Sequence, residues 1–414
     1  MADLNNTRDL GLYVHIPFCV KKCRYCDFLS AAADESTIEK YTLALVSEIE
    51  NTAKLLKGNL KIHTMYIGGG TPSVLNISQL KRITAALWKV MDAASGNNKD
   101  NIEFTVEINP ATADFEKLAA IKDMGVNRLS IGMQSTEDIL LKRLGRIHSY
   151  DDFLQCYKMA GKAGFKNINV DIMSALPGQT PEDYEKSLNE LIRLNPEHIS
   201  SYSLIIEEGT EFGRIYGGDG KMAYKDKNYA ELPGEDEERK MYDMTGRLLG
   251  EAGYKHYEIS NYSKPGFESR HNSSYWKRVP YLGFGLGAAS LLNKGYLKET
   301  DLYDGRAFQV RFENTRVLSE YLLADGKLKD IRRNINPLDK KACMEEFMFL
   351  GLRMMDGISV SDFYDNFDMA IDDVYAGVIL KYMKMGLLRK SGERLMLTER
   401  GIAVSNAVLC DFLL

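Results

Sequence analysis

Leu12-Tyr13-Val14-His15-Ile16-Pro17-Phe18-Cys19-Val20-Lys21-Lys22-Cys23-Arg24-Tyr25-Cys26-Asp27-Phe28 decides how this chain is read. Its first part, Leu12–Ile16, is a β-rich run that stops at a proline, and the loop behind it carries three cysteines at Cys-x3-Cys-x2-Cys spacing. Thiols this close in sequence converge on one point. A structural zinc site normally closes with a fourth Cys or His nearby, but Phe28 stands two residues after Cys26, and strand alternation leaves the direction of His15 open. Three cysteines on a cubic four-iron cluster would leave one iron without a protein ligand, and an open iron is a binding site. On the residues alone, zinc and an iron–sulfur cluster both stand.

Outward from this stretch, short β-rich runs alternate with longer segments of helical apolar spacing. The runs are Leu12–Ile16, Thr64–Ile67, Glu103–Ile108, Arg128–Ile131, Asn167–Ile172 and Ile199–Ile205. Their regular spacing, with no dinucleotide fingerprint after the first, predicts an α/β protein built on a partial parallel (β/α)6 barrel. In such a fold chemistry gathers at strand C-termini. The unusual residues fall there: the cysteine loop, Gly68-Gly69-Gly70-Thr71-Pro72, Glu107-Ile108-Asn109-Pro110, Gly132-Met133-Gln134, and Asp171. The expected organisation is a tail over residues 1–10, a core barrel over 11–220, an extension over 221–335, and a terminal domain over 336–414. The extension holds a charge-dense stretch from Lys221 to Asp243, read as a solvated loop leading into a helix, then His271-Asn272-Ser273-Ser274-Tyr275-Trp276 and the glycine-rich Gly283–Ser290. The terminal part shows three helical segments and two short strand-like pieces around Ser391-Gly392-Glu393, which predicts a small, mainly helical, winged-helix-like domain.

The run from Tyr13 to Phe28, followed by Gly68-Gly-Gly-Thr-Pro72, resembles the radical S-adenosylmethionine (SAM) enzymes, and more narrowly the branch holding the oxygen-independent coproporphyrinogen III oxidases and the HemW-like heme chaperones. The resemblance covers nearly the whole chain. It implies a [4Fe-4S] cluster on Cys19, Cys23 and Cys26, with SAM on the open iron and reductive cleavage to methionine and a 5′-deoxyadenosyl radical. Tyr13, Tyr25, Gly69, Gly70, Thr71, Glu107, Gln134, Arg146 and Asp171 match positions that contact SAM in that family. Their chemistry suits the role: carboxylates accept from ammonium or ribose hydroxyls, an Arg fork pairs a carboxylate, and Gln both donates and accepts. Ser203 and Ala289 match a second SAM-contacting region, with less weight.

Two features imply the chaperone side of the branch. The oxidase continues the cysteine triplet with another cysteine where this chain has Phe28, and His271-Asn-Ser-Ser-Tyr275-Trp276 resembles the motif linked to heme, which makes His271 a candidate axial ligand. The expected function is therefore binding of a cluster, SAM and heme and delivery of heme to a recipient hemoprotein, with an electron donor for the cluster. The alternative is oxidative decarboxylation of coproporphyrinogen III.

Composition agrees with a folded protein outside the membrane. The 414 residues carry 53 Lys+Arg against 58 Asp+Glu, a net charge of −5, without a basic block for gripping phosphates, so no nucleic-acid partner is expected. No apolar run of about 18 residues occurs and the first ten residues are polar, so neither stable membrane insertion nor a signal peptide is expected, and the location is read as cytoplasmic. Cys156, Cys343 and Cys410 are scattered, too few with the triplet for a disulfide scaffold.

Overall fold

A computed structural model describes residues 9–56, 60–94, 101–217, 229–298 and 307–414. Residues 1–8 of the expected tail and 221–228 of the charged stretch lie outside the described residues. Asp9 and Leu10, read as the end of the tail, already belong to the first strand.

Six strands follow the expected runs: β1 (Asp9–Ile16), β2 (Lys61–Gly69), β3 (Glu103–Ile108), β4 (Arg128–Gln134), β5 (Ile168–Ser174) and β6 (His198–Ser203). They are parallel neighbours in that order, and β1 and β6 do not pair with each other, so the sheet is an open arc. Both faces are largely buried, as parallel strands with covering helices require. The helices between them are α1 (Glu35–Leu55), α2 (Ile77–Ala93), α3 (Phe115–Asp123), α4 (Asp138–Leu144), α5 (Tyr150–Lys162) and α6 (Pro181–Leu194). Local chemistry starts them: Asn76 and Gln79 form a reciprocal capping box on α2, as do Thr180 and Asp183 on α6, where Pro181 takes the first helical position. On α6 the residues Tyr184, Ser187, Leu188 and Leu191 make the buried stripe.

β6 ends at Ser203, two residues short of the expected Ile205, and the chain turns away toward α7 (Glu211–Tyr216). The charged stretch does lead into a helix, α8 (Glu235–Glu251), with four acidic residues in its first turn. The extension then completes the same sheet from both sides. β7 (Lys255–Glu258) and β8 (Asn261–Ser263) add antiparallel beyond β6. After α9 (Arg270–Trp276), β9 (Tyr281–Phe284) lies parallel to β1, so Gly283 belongs to a seventh parallel strand. β10 (Ala289–Asn293), β11 (Gln309–Asn314), α10 (Leu318–Ala324), α11 (Leu328–Ile331) and β12 (Arg332–Leu338) finish that edge. One apolar core runs through barrel and extension, from Leu10 to Ile331.

A second core belongs to the terminal region. It gathers α12 (Lys340–Gly351), β13 (Ile358–Ser359), α13 (Val360–Phe367), α14 (Ile371–Lys384), β14 (Leu388–Ser391), β15 (Arg394–Leu397), α15 (Glu399–Ala403) and α16 (Ser405–Cys410). The strands form a small antiparallel sheet in the order β13, β15, β14, the helices-plus-hairpin arrangement expected for a winged-helix-like unit. No helix among the described residues is long and apolar enough to cross a membrane.

Candidate cofactor-binding site

The cysteine loop leaves β1 at Pro17 and is clamped at its base, where Ala31 N donates to Pro17 O at 3.0 Å and Cys19 N to Ala31 O at 3.1 Å. Its middle is tied across the barrel mouth. Arg24 N donates to Leu144 O, Phe212 N donates to Arg24 O, and the Arg24 guanidinium sits 3.3 Å from Glu211. Cys26 N closes a turn on Cys23 O at 3.2 Å. The three thiols thus face one cavity of about 360 Å³ at the C-terminal ends of β2 to β6, each half-buried.

Three thiols on one loop, facing one cavity, are a donor set that fits a cubane cluster with one iron left open. Among the described residues no three His, Cys, Asp or Glu side chains stand close enough to hold one metal ion. A cubane takes each thiolate on a different iron, which asks for a wider triangle. Thr71 Oγ1 donates to Cys19 Sγ at 3.4 Å and Arg146 Nη1 to Cys23 Sγ at 3.8 Å, so two of the three sulfurs already face hydrogen-bond donors of the cavity wall. Burial pushes the Cys26 thiol up to about 11, with Cys23 and Cys19 adding to the rise against the Phe28 backbone bond, and a cationic centre among the three would reverse that balance.

The glycine run forms the adjoining wall. Gly69 has φ +110°, and a Cβ there would lie 2.5 Å from His15 Nδ1. Gly70 N donates to Ile16 O at 2.8 Å, and a Cβ on it would meet Phe18 O at 2.7 Å, so only glycine lets β2 end this close to the cysteine loop.

The polar lining comes from successive strands in register. Gly132 faces Asp171 and Glu107 faces Ser130 across neighbouring strands. Glu107 accepts from Tyr66 Oη at 2.7 Å and from Gly69 N at 3.0 Å. Burial raises its pKa to about 7 in spite of the Tyr66 bond, and Asp171 pushes the same way. Asp171 is raised as well, first by burial, while Asn169 Nδ2 at 2.7 Å and Arg128 oppose the shift. Arg146 carries the balancing charge. Burial works against its cation but is outweighed by Tyr25, Cys23 and Tyr202, and its fork is aimed by Gly132 O at 3.2 Å and His148 Nδ1 at 3.3 Å. Gln134 holds φ +66°, unusual for a residue with a side chain, and its amide oxygen accepts from Tyr202 Oη at 3.2 Å.

Cys19, Cys23, Cys26, Tyr25, Gly69, Gly70, Thr71, Glu107, Gln134, Arg146, Asp171 and Ser203 therefore meet around one cavity. Three expected residues do not join it. Ala289 opens β10 beyond β9. Tyr13 lies beneath the lining, its hydroxyl 3.0 Å from His15 Nδ1 and its ring stacked beside Tyr66. His271 stands apart from the cavity. It is 2% exposed, Nδ1 lies 2.8 Å from Thr64 Oγ1 and Nε2 lies 3.0 Å from Tyr275 Oη, so in this arrangement neither nitrogen is open to an iron. Burial lowers its pKa to about 3, with His63 and Arg128 adding, so the ring is neutral. Its segment is α9, which enters the barrel from below and whose first amides, Arg270 N and His271 N, bind Glu103 at 2.9 Å each.

Tyr202, Met173, Ser130 and Tyr66 escaped the sequence reading. All but Tyr66 line the cavity, and Tyr66 holds Glu107. Period-two alternation was the available signal, since Thr64, Tyr66 and Gly68 share one face of β2 and Ser200 and Tyr202 one face of β6.

Residues 13–191 match the radical SAM superfamily and residues 338–404 match the HemN C-terminal domain. The heme chaperone HemW of Lactococcus lactis is 35% identical over 97% of this chain and 97% of its own length. That of Bacillus subtilis is 36% identical over 97% and 98%, and that of Escherichia coli 31% identical over 98% of both. The fold is also that of coproporphyrinogen III oxidase (HemN) from Escherichia coli, at a TM-score of 0.77 and 22% identity, covering 98% of this chain and 90% of that one.

Proposed function

The chain belongs to the HemW family of heme chaperones within the radical SAM superfamily, and on that footing we propose that it binds a [4Fe-4S] cluster, SAM and heme and delivers heme to a recipient hemoprotein in the cytoplasm. The observation that carries this reading is the likeness to HemW relatives along the full length of both chains.

Cys19, Cys23 and Cys26 would hold the cluster. When bound, it supplies an open iron for the amino and carboxylate groups of SAM and passes on an electron from a donor protein. The chain's own residues do the rest. Gly69 and Gly70 let backbone approach the ligand, Thr71 and Arg146 steady the sulfurs of Cys19 and Cys23, and the Arg146 fork offers a partner for a carboxylate. Glu107, Asp171 and Gln134 offer acceptors for ammonium and hydroxyl groups, and Tyr25 stays a neutral phenol because burial and the nearby thiols raise its pKa. Ser203 faces the same cavity with its hydroxyl 3.1 Å from Ser174, and Tyr13 acts from beneath it.

For heme, the rim of this cavity supports the proposal. Phe28 and Ile205 are 56% and 67% exposed on it, beside Lys21, giving apolar surface to a macrocycle and a cation to a propionate. Ligation of heme iron by His271 would first require breaking its bonds to Thr64 and Tyr275, so the rim is the better docking place.

The second reading, oxidative decarboxylation of coproporphyrinogen III, draws on the shared fold with HemN, and Phe28 in place of a further cysteine counts against it. The deciding experiment reconstitutes the cluster anaerobically, verifies iron and sulfide, and adds SAM, a strong reductant and coproporphyrinogen III. No decarboxylated product by mass spectrometry is expected, and product formation would overturn the chaperone reading.

A further inference from the structure

We infer that His271 is a positioning residue for the SAM pocket, seating Tyr66 from below so that its hydroxyl holds Glu107 in the cavity wall. The inference rests on the SAM-binding reading above and assigns a role to the His-Asn-Ser-Ser-Tyr-Trp segment that heme ligation does not require.

The His271 ring lies on Tyr66 with centroids 5.0 Å apart and planes inclined by 21°. Its rotation is fixed at both nitrogens, by Thr64 of β2 at 2.8 Å and by Tyr275 of its own helix at 3.0 Å. Tyr66 then donates to Glu107 Oε1 at 2.7 Å, and Glu107 Oε2 accepts from Gly69 N at 3.0 Å. One carboxylate thus ties the glycine wall to the barrel floor. The same strand that carries Glu107 also carries Glu103, which binds the first two amides of α9, so β3 fixes both ends of the connection.

The far end of the segment is gripped from outside. The Arg353 guanidinium lies 4.5 Å from the Trp276 ring centroid, and Arg278 pairs with buried Glu346 at 3.0 Å. The terminal domain therefore holds α9 in the barrel floor. An axial ligand would need one free nitrogen and a path for iron, whereas a positioning residue needs both nitrogens engaged and a ring against its neighbour, which is what His271 has.

The test uses the full chain with its cluster reconstituted anaerobically. SAM affinity is read from the SAM-induced change in the electron paramagnetic resonance spectrum of the reduced cluster, and heme affinity from the Soret band of the same preparations. Tyr66→Phe keeps the ring and removes only the donor to Glu107, so it serves even where His271→Ala folds poorly. Each variant should weaken SAM binding about tenfold, the cost of one lost bond to a charged group. The double variant should be little worse than either single one, because both act through Glu107. Heme affinity should stay at the parent value. The inference fails if Tyr66→Phe leaves SAM affinity unchanged, or if His271→Ala abolishes the Soret band while SAM binds as before. A reconstituted parent protein whose spectrum does not respond to SAM overturns the SAM-binding reading itself, and the inference with it.

Discussion

Replacing Gly69 by alanine places a methyl group 2.5 Å from His15 Nδ1 and 2.6 Å from His15 Cε1, on a residue whose φ of +110° side chains rarely adopt. The ring has nowhere to go. Its Nδ1 lies 3.0 Å from Tyr13 Oη, its Nε2 lies 2.8 Å from Leu29 O, and Leu29 belongs to the cysteine loop. The backbone conformation costs about 1–2 kcal/mol for a residue with a Cβ, and the clash adds about 1–3 kcal/mol. Gly69→Ala should therefore destabilise the barrel by about 2–5 kcal/mol and loosen both the cysteine loop and the wall bonded to Glu107. Gly161→Ala is the control, since nothing lies within 4 Å of a Cβ there and α5 should gain about 0.5–1 kcal/mol. Denaturant unfolding of the two variants under anaerobic conditions, with iron content and SAM binding measured beside it, gives the comparison. If Gly69→Ala unfolds with the control and binds SAM normally, the close-approach account of the glycine wall is refuted.

Arg146→Lys keeps a charge but loses the fork aimed by Gly132 O and His148, so SAM binding should weaken about tenfold or more with iron content retained; equal affinity in the same spectroscopic titration would remove Arg146 from the site. His148 is buried and its pKa is lowered to about 3, first by burial and then by Arg146. Its folded value lies below the ordinary 6.5, so the folded state binds fewer protons and this contribution is complete above about pH 6.5 and lost as pH falls toward 3. The loss of stability between pH 7 and pH 5 should shrink by about 2 kcal/mol in His148→Gln, and an undiminished loss in urea unfolding contradicts the assignment. Phe28→Ala removes an exposed ring, so stability should stay within about 0.5 kcal/mol, while the midpoint of a heme titration should rise about tenfold; an unchanged midpoint takes Phe28 out of the heme surface.

Much of the site was legible because strand ends announce themselves. The cysteine triplet follows a proline that stops β1, the glycines stop β2, and Glu107, Gln134 and Asp171 end or nearly end three more strands, so a parallel fold brings them together whatever its detailed closure. What lay deeper depended on tertiary packing. His271 sits on a helix of seven residues, too short for apolar periodicity to reveal, and only the seating of that helix in the barrel floor decides that its ring meets Tyr66 rather than solvent. β9 was hidden likewise: four residues beginning Tyr281-Leu282 and containing a glycine carry little strand signal, and parallel pairing with β1 arises from the chain's passage beneath the barrel. The end of β6 was not legible because Leu204-Ile205 prolongs its apolar run, whereas in the fold Leu204 packs against the small cluster around Phe212 and Ile205 is exposed on the cavity rim.

Whether heme moves on from this protein to an acceptor is read from a transfer assay. The reconstituted protein is loaded with one equivalent of heme under anaerobic conditions, mixed with an apo-hemoprotein acceptor, and followed by the appearance of the acceptor's Soret band against the same amount of heme held by serum albumin. The acceptor should fill from this protein while the donor's heme band falls in step. Heme that does not bind, or that reaches the acceptor no faster than from albumin, would contradict the chaperone reading.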